Sequence, residues 1–315
     1  GAAARASRTL ATFRPLPRQR EYLASLARRK QLRGPNQGGK TTTLAVLALA
    51  LMLGPAHPDV QALEARAPGL LATLRRGPVE IWIVCASWKQ SLTVQRKVQE
   101  MLPPGELHFE SKFTRKNGFT GQRFQTRNGS LCTFVTVNQD TMELASATLD
   151  AVLIDEVPSE EVYGELAARV RHRNGFIGIH YTPINKPVGW LKEKCEKEEI
   201  KDFHFELTLE ELTPANSRFP IQSQEQIDEF IRDCPPWQRA QRVLGAWEGA
   251  SVDRWMQDFD ATRHVLAMAP GLAAPTRALL GEQEWYRRAE YSEWRLCVGL
   301  DYGLRPGKMA ATLVA

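Results

Sequence analysis

The sequence predicts an α/β protein whose central sheet is mostly parallel and carries helices on both faces. Three compact apolar runs rich in β-branched residues, "VEIWIVCAS", "LDAVLIDEVPS" and "NGFIGIHYTP", have the composition of buried strands. Helical patterns lie between them, at "WKQSLTVQRKVQEMLPP" and "SEEVYGELAARVRHR". Strands that alternate with helices pair in parallel, because each crossover helix returns the chain to the same edge of the sheet.

The N-terminal third is predicted to contain three helices around one loop. "RQREYLASLARRK" has helical spacing, with Tyr22, Leu23 and Leu26 on one face. A short strand-like stretch and the loop "RGPNQGGKTTT" follow, and then an Ala/Leu-rich helix that ends at Gly54-Pro55. Residues 56–77 are predicted to be an insertion with one amphipathic helix.

Turn and cap residues predict the remaining elements. Asn128-Gly129 lies between two strand-like runs and indicates a hairpin. Ser223 and Gln226 have the spacing of a capping box at the start of "SQEQIDEFIRDC", which predicts a helix. The last segment, "WRLCVGLDYGLRPGKMAATLVA", is predicted to form a strand, a turn and the start of a second strand.

Composition limits the function classes. The chain has 315 residues, 43% of them hydrophobic, and Lys plus Arg exceed Asp plus Glu by 41 − 36 = 5, which suits a nucleic-acid partner. The longest apolar run, Leu44–Leu53, is about half as long as the roughly 20 residues of a membrane span, and no export signal is recognisable. Five scattered cysteines without a CxxC pair indicate a reducing cytoplasm and argue against a zinc site or disulfide framework.

The loop matches the phosphate-binding pattern G-x-x-x-x-G-K-[ST] at Gly34, Gly39, Lys40 and Thr41. Glycines let backbone N–H groups point at phosphate oxygens, and the N-terminus of the next helix adds its dipole. Lys40 is expected to reach the β and γ phosphates, Thr41 to bind Mg²⁺, and Thr42 to contact the nucleotide. The alternative is a glycine-rich turn before a helix, without a ligand.

Two acids end the predicted strand "AVLIDE". Asp155 stands where a carboxylate is needed to hold Mg²⁺ beside a phosphate loop. Glu156 follows, and a hydrolase needs such a base to orient and deprotonate water, whereas a kinase acceptor brings its own nucleophile. The pair therefore favours ATP hydrolysis over small-molecule phosphorylation. For Glu156 alone, a solvated acid at a strand end is the alternative.

Two further residues are candidates by their order in the chain. Thr182, followed by the strand-breaking Pro183, is placed to sense the γ-phosphate, although a plain strand end explains it equally well. Gln19, upstream of the loop in "FRPLPRQREYL", can donate and accept hydrogen bonds at an adenine edge. Taken in isolation, this glutamine is expected at the surface.

The ordered set of motifs resembles the large terminase subunit of tailed bacteriophages, the ATPase that drives DNA into procapsids. The matching pieces run in family order from about residue 13 to residue 303. They are "FRPLPRQREYL", "GPNQGGKTTT", "IWIVCASWKQS", "AVLIDEVPSEEVYGELAARV", "HYTPIN", "RVLGAWEG", "FDATRHV" and "VGLDYG".

This resemblance implies a P-loop NTPase of the ASCE type with a small lid subdomain, followed by an RNase H-like nuclease that cuts concatemeric DNA. It implies an ATPase core at 1–185, a lid at 186–262, a linker at 263–293, and the first strands of a truncated nuclease domain at 294–315. By position, it implies the following roles: Gln19 as the adenine contact, Lys40 and Thr41 as the Walker A pair, Asp155 and Glu156 as the Walker B pair, Thr182-Pro183 as the coupling motif, and Asp301 as the first metal-binding acid of the nuclease.

The sequence departs from the family at its arginines and its nuclease acids. Many relatives carry an Arg in the phosphate loop where this chain has Gln37, and some carry one before the Walker B strand, where it has Leu144-Ala145. Arg169 is therefore the candidate for the arginine that reaches a neighbour's ATP, with Arg123 or Arg127 as alternatives; each is also explained as a surface or DNA-facing charge.

Nuclease activity is expected only in the complete protein. Two-metal cleavage needs several convergent carboxylates, and no Asp or Glu follows Asp301.

The sequence therefore predicts an ATP-driven motor that moves double-stranded DNA into a viral procapsid, with ATP and Mg²⁺ as cofactors. The expected partners are DNA, the portal protein, the small terminase subunit and further copies in a ring, a pentamer, without a membrane. The expected location is the host cytoplasm, transiently docked on the procapsid.

Basic residues near Arg28–Lys30 and Arg169–Arg173 face either DNA or solvent. The alternatives are a helicase-like ATPase, weakened by the lack of helicase motifs in the second half, and a nucleotide-switched DNA clamp without useful turnover.

Overall fold

The computed structural model describes residues 9–137, 147–184, 188–214 and 217–247, and the strands Cys297–Tyr302 and Met309–Val314. The chain divides into two compact units, Gly1–Gln257 and Asp258–Ala315, which are described separately. The predicted linker and Leu144-Ala145 lie outside the described residues.

The first unit is built on a seven-stranded sheet in the order β5-β6-β2-β7-β8-β1-β9. Every neighbouring pair is parallel except β5 and β6, which are antiparallel. The strands of the first unit, including the separate small hairpin β3-β4, are β1 (Arg29–Arg33), β2 (Glu80–Cys85), β3 (Phe113–Thr114), β4 (Gly118–Phe119), β5 (Arg123–Gln125), β6 (Leu131–Thr136), β7 (Ala151–Asp155), β8 (Phe176–Tyr181) and β9 (Lys201–His204). The predicted mostly parallel α/β sheet is confirmed.

Helices cover both faces of this sheet, as predicted. The described helices are α1 (Pro17–Ala24), α2 (Lys40–Leu53), α3 (Pro58–Glu64), α4 (Trp88–Met101), α5 (Glu160–Arg171), α6 (Gly189–Glu196), α7 (Gln224–Asp233) and α8 (Arg239–Arg242). Short 3₁₀ turns lie at Leu10–Thr12, Leu71–Thr73, Thr120–Gln122 and Pro236–Gln238. One buried apolar cluster packs the four helices α1, α2, α3 and α4 against one face of the sheet. A second cluster packs α5 and α6 against the other face.

The local signals in the sequence correspond to observed elements. The Asn128-Gly129 turn closes the β5-β6 hairpin, with Gly129 at a φ of 91°. Ser223 and Gln226 form the capping box of α7. The apolar run after the loop lies in α2, where Leu44 to Leu53 are all buried. No described helix is long and apolar enough to cross a membrane.

The helix predicted over "RQREYLASLARRK" is too long. Helix α1 ends at Ala24, and the last two residues of that stretch begin β1. The physical reason is tertiary pairing, because β1 forms parallel ladders with both β8 and β9 and these outweigh the local helical pattern. Leu26, predicted on the apolar helix face, is instead 71% exposed.

Lys30 is buried inside the fold, which corrects the expectation that it faces DNA or solvent. Its side chain is 2% exposed, and Nζ donates hydrogen bonds to the carbonyls of Tyr22 (2.6 Å) and Ser25 (3.0 Å). It therefore supplies a hydrogen-bond donor to carbonyls at the C-terminal end of α1. Burial lowers the pKa of Lys30 to about 7.

We expect Lys30 to make stability depend on pH in the alkaline range. The pKa of Lys30 is about 7 in the folded chain, against the ordinary lysine value of 10.5. Between these two pH values the unfolded chain therefore holds more protons than the folded chain. The free energy of unfolding should therefore rise with pH across this window, by up to about 1.4 kcal/mol per pH unit. Urea unfolding at pH 7, 8 and 9 should show a flatter profile for Lys30→Met than for the exposed control Lys89→Met; parallel profiles would contradict the expectation.

The predicted domain divisions stay predictions, with one structural fact bearing on them. Strand β9 falls within the range predicted for the lid, yet it pairs with β1 at the edge of the main sheet. In the second unit, β10 (Cys297–Tyr302) and β11 (Met309–Val314) form an antiparallel pair in which Asp301 lies opposite Ala310. The two strands predicted at this end are confirmed, and their assignment to a nuclease domain stays a prediction.

Candidate nucleotide-binding site

The phosphate-binding pattern lies in the predicted context, between strand β1 and helix α2. Gly39 is the N-cap of α2 and has a φ of 79°, which glycine adopts without steric cost. No described side chain caps this helix start. Its first backbone N–H groups and the positive end of its dipole are therefore suited to bind an anion.

Lys40 begins α2 and turns back over the loop. Its Nζ donates hydrogen bonds to the carbonyls of Gly34 (3.1 Å) and Pro35 (2.5 Å). Burial lowers the pKa of Lys40 to about 8, while the negative charges of Glu156 and Asp155 act in the opposite direction. The lysine is thus held among the groups that the sequence assigned to the same site.

The sheet brings Asp155 to the loop. β8 lies between β1 and β7, and all three strands are parallel, so their carboxyl ends meet at one edge. There the hydroxyl of Thr41 donates a hydrogen bond to Oδ1 of the buried Asp155 over 3.2 Å. A hydroxyl beside a carboxylate suits Mg²⁺, which is commonly held by one or two such oxygens together with water and substrate phosphates. No group of three or more His, Cys, Asp or Glu side chains that could hold a metal ion occurs among the described residues.

Glu156 follows in an unusual backbone conformation. Its φ is 83°, a region that costs a non-glycine residue roughly 1–3 kcal/mol and that clusters at functional sites. Its backbone N–H donates to the carbonyl of His180 over 2.9 Å, beyond the last residue of β7. The chain therefore turns sharply directly after Asp155, at the edge where the phosphate loop lies.

Thr182 and Pro183 lie at the same edge. Thr182 is buried directly after β8, and its carbonyl accepts a hydrogen bond from Ile184 over 2.7 Å. The neighbouring Tyr181 carbonyl accepts from the backbone N–H of Gly34 over 3.4 Å. The segment thus adjoins the first glycine of the loop, and its coupling role stays a prediction.

Gln19 is buried, so the surface position expected for an isolated glutamine is wrong. It is 2% exposed; Oε1 accepts from the N–H of Leu16 (3.0 Å) and Nε2 donates to the carbonyl of Gly38 (2.9 Å). The amide therefore ties α1 to the phosphate loop. Its predicted contact with adenine, like the nucleotide contact of Thr42, stays a prediction.

Arg169 is not brought to this edge. It lies in the last turn of α5, where its guanidinium pairs with Glu165 over 3.3 Å. Its carbonyl accepts from the N–H of Leu149, shortly before β7 begins, which places it at the amino edge of the sheet. Arg123 lies on β5 and Arg127 in the hairpin turn that follows. A role at a neighbour's nucleotide stays a prediction for all three.

The contacts of Phe205 and Arg33 around the loop were not predicted from the sequence. The ring of Phe205 packs against Gly34 and Gly38, and Arg33 ties the end of β1 to β9 through Asp202. The one available signal was Gly38, a glycine at a position where the phosphate-binding pattern accepts any residue.

No protein-family model matches the sequence, and no curated protein matches it significantly. Solved structures do match. The ATPase domain of the large terminase of Thermus phage P74-26 is 16% identical with a TM-score of 0.54, over 76% of this chain and 96% of that domain. The chain has the fold of a large terminase ATPase domain.

Two larger terminases agree with this result. The large terminase of a thermophilic bacteriophage, solved with ADP, has a TM-score of 0.51 and 15% identity, over 92% of this chain and 62% of that protein. The HK97 bacteriophage large terminase has a TM-score of 0.50 and 13% identity, over 76% of this chain and 51% of that protein. The chain thus corresponds to only part of these terminases. The predicted resemblance to large terminases is confirmed for the fold.

Proposed function

We propose that the chain is the ATP-hydrolysing part of a phage DNA-packaging motor. The observation that carries the proposal is the hydrogen bond of 3.2 Å between Thr41 and Asp155, which joins the phosphate loop to the strand that ends in two acids. A glycine-rich turn that binds no ligand would not require this hydrogen bond between Thr41 and Asp155. The terminase-like fold and the ADP complex of one similar terminase support the same assignment.

The site's own residues have distinct parts in the proposed reaction. The N–H groups at the start of α2 and the Lys40 ammonium bind the phosphates. Thr41 and Asp155 would hold Mg²⁺, which neutralises phosphate charge when it is bound. Glu156 accepts a proton from the attacking water as the water oxygen bonds to the γ-phosphorus and the bond to the β-phosphate oxygen breaks, which releases ADP and phosphate.

The finer features belong to the assembled motor. We propose a homo-oligomeric ring, a pentamer, on the portal in the host cytoplasm, which the small terminase subunit supplies with double-stranded DNA. A trans-acting arginine, with Arg169 as the candidate, stabilises the γ-phosphate charge of a neighbour. Thr182 transmits the presence of the γ-phosphate to the lid. Asp301 belongs to the nuclease of the complete protein.

Basic side chains in residues 111–127, the segment that contains β3, β4 and β5, fit the phosphates of duplex DNA. From residue 111 to residue 127 the chain contains no Asp or Glu. Its exposed basic residues are Lys112, Arg115, Lys116, Arg123 and Arg127. Within the described part of the chain, none of these side chains forms an ion pair. Such contacts position a protein on DNA without selecting a sequence.

We expect the triple variant Arg115→Ala, Lys116→Ala, Arg123→Ala to bind duplex DNA more weakly and with less dependence on salt. Each lost phosphate contact should reduce the slope of log affinity against log salt by about 0.9. Fluorescence anisotropy with two unrelated duplexes over a salt series measures this change. The matched control replaces three other exposed basic residues, Arg20, Arg76 and Lys201. Equal slopes for both triple variants would argue against DNA binding by this segment.

The proposed function is tested by steady-state ATP hydrolysis of the full chain alone, with duplex DNA, and with duplex DNA and portal-bearing procapsids. A packaging motor should turn over faster when both are present. Stimulation by DNA alone, without a further effect of procapsids, would favour the helicase-like alternative. Turnover that ignores both additions would overturn the packaging proposal.

A further inference from the structure

We infer that Phe205 is a positioning residue for the phosphate loop and acts on nucleoside triphosphate binding through Gly34 and Gly38. This inference rests on the proposed function, because it concerns the loop to which that function assigns the phosphates. Phe205 lies outside the phosphate-binding pattern and directly follows β9 in the chain.

The ring tip of Phe205 occupies the space that side chains at both glycines would need. A Cβ at Gly34 would lie 2.6 Å from Cδ1 and 2.7 Å from Cζ of the ring. A Cβ at Gly38 would lie 2.5 Å from Cε2 and 2.7 Å from Cζ. Real Cβ atoms do not approach other atoms this closely. A side chain at either position would therefore force the buried ring of Phe205 to shift.

Backbone conformation does not explain these two glycines. Gly39 and Gln37 have positive φ angles, of 79° and 61°, whereas Gly34 and Gly38 are not among the described residues with positive φ. Gly38 is also not required by the phosphate-binding pattern. Contact with the aromatic ring is therefore the tightest constraint that the structure shows at Gly38, ahead of the Pro35 carbonyl oxygen at 3.3 Å.

Phe205 is held firmly in this position. Its side chain is 1% exposed, and its backbone N–H donates over 3.2 Å to the carbonyl of Arg33, the residue directly before Gly34. Arg33 in turn forms an ion pair with Asp202 of β9, in which Nε lies 3.1 Å from Oδ1 and Nη2 lies 2.9 Å from Oδ2. Such bidentate pairs fix geometry as well as charge.

A third segment closes the same side of the loop. Arg33 also donates to the carbonyl of Gly245, and its guanidinium lies 4.6 Å from the ring centre of Trp247. A Cβ at Gly245 would lie 2.9 Å from Cα of Gly34. The first glycine of the loop is thus in contact with Phe205 and with Gly245, both far along the chain from the loop itself.

These contacts come from the protein itself and restrict the loop at Gly34 and Gly38. A loop that is ordered in advance loses less conformational entropy when it binds, so its affinity is higher. Replacing Phe205 with Leu removes Cε1, Cε2 and Cζ, which include both ring atoms at Gly38, while it keeps an apolar side chain. The expected result is an ATP dissociation constant raised by about tenfold, with kcat changed by less than about threefold because Glu156 is not touched.

A double-mutant cycle separates this role from a general loss of stability. Gly38→Ala should weaken ATP binding by about tenfold in the wild-type chain, because the new methyl group meets the ring. In the Phe205→Leu background the same change should have little further effect, since Cε2 and Cζ are gone and the Pro35 carbonyl oxygen lies farther away, at 3.3 Å. Calorimetric titration of the full chain with ATP and Mg²⁺ provides the four dissociation constants.

Two control variants match the two changes. Phe124→Leu removes the same atoms from a ring that is 1% exposed but lies on β5, at the other edge of the sheet. Gly164→Ala adds a methyl group in α5 where nothing lies within 4 Å. Both should keep the wild-type affinity for ATP, even if Phe124→Leu lowers the unfolding midpoint.

Each outcome decides a separate question. Additive effects in the cycle, or equal ATP affinities for Phe205→Leu and Phe124→Leu, would overturn the positioning role while leaving the proposed function intact. A wild-type chain that binds no ATP would overturn the proposed function and the inference together.

Discussion

Replacing Glu156 with Gln is expected to lower ATP turnover by about 10²–10⁴-fold and to leave the affinity for ATP nearly unchanged. Glutamine keeps the size and hydrogen-bonding capacity of the side chain but cannot take up the proton of the attacking water. The backbone at this position has a φ of 83°, and glutamate and glutamine meet the same steric demand there. The change should therefore affect chemistry rather than folding.

Phosphate release and ATP titration should be measured on the same preparation. Glu161→Gln is the matched control, because Glu161 is an exposed acid on the nearby helix α5. A Glu156→Gln chain that still hydrolyses ATP would show that another group activates the water. A chain that loses turnover but keeps nucleotide-dependent DNA retention would favour the clamp alternative over the motor.

Replacing Lys40 with Met is expected to weaken ATP binding by about 10²-fold. The Nζ group donates to two loop carbonyls and lies near Glu156 and Asp155, so it is positioned where phosphate charge is expected. Hydrogen bonds from a charged group contribute about 1.5–3 kcal/mol each, and methionine keeps the apolar stem while it removes all of them.

The control for this change is Lys89→Met, which removes an exposed lysine at the start of α4. Both variants should unfold at urea concentrations close to the wild type. If Lys40→Met bound ATP as tightly as Lys89→Met, the loop would be a glycine-rich turn without a ligand. That alternative was left open by the motif alone.

Much of the fold could be predicted because its signals are local. Apolar runs of β-branched residues identified β2, β7 and β8, and the spacing of Ser223 and Gln226 identified the start of α7. The boundary between α1 and β1 could not be predicted in this way. The stretch has helical spacing, and its strand ending forms only because β8 and β9 flank it on both sides.

The same distinction between local signals and long-range contacts applies to the candidate site. The pattern of glycines with Lys40 and Thr41, and the acids at the end of a strand, could be recognised without a structure, because spacing and chain order carry the chemistry. Their meeting at one edge followed from parallel strands. The positive φ of Glu156 gave no signal in the sequence, because glutamate is not a residue type that favours this region.

The sequence alone determined the class of the fold, the phosphate loop and the acids that accompany it, because each of these depends on short-range periodicity or on a fixed spacing. Only the tertiary structure decided that Lys30 and Gln19 are buried and that Phe205 lies against the loop. The reason is physical: burial and ring contacts arise between segments far apart in the chain, and their energy depends on which surfaces the folded sheet brings together.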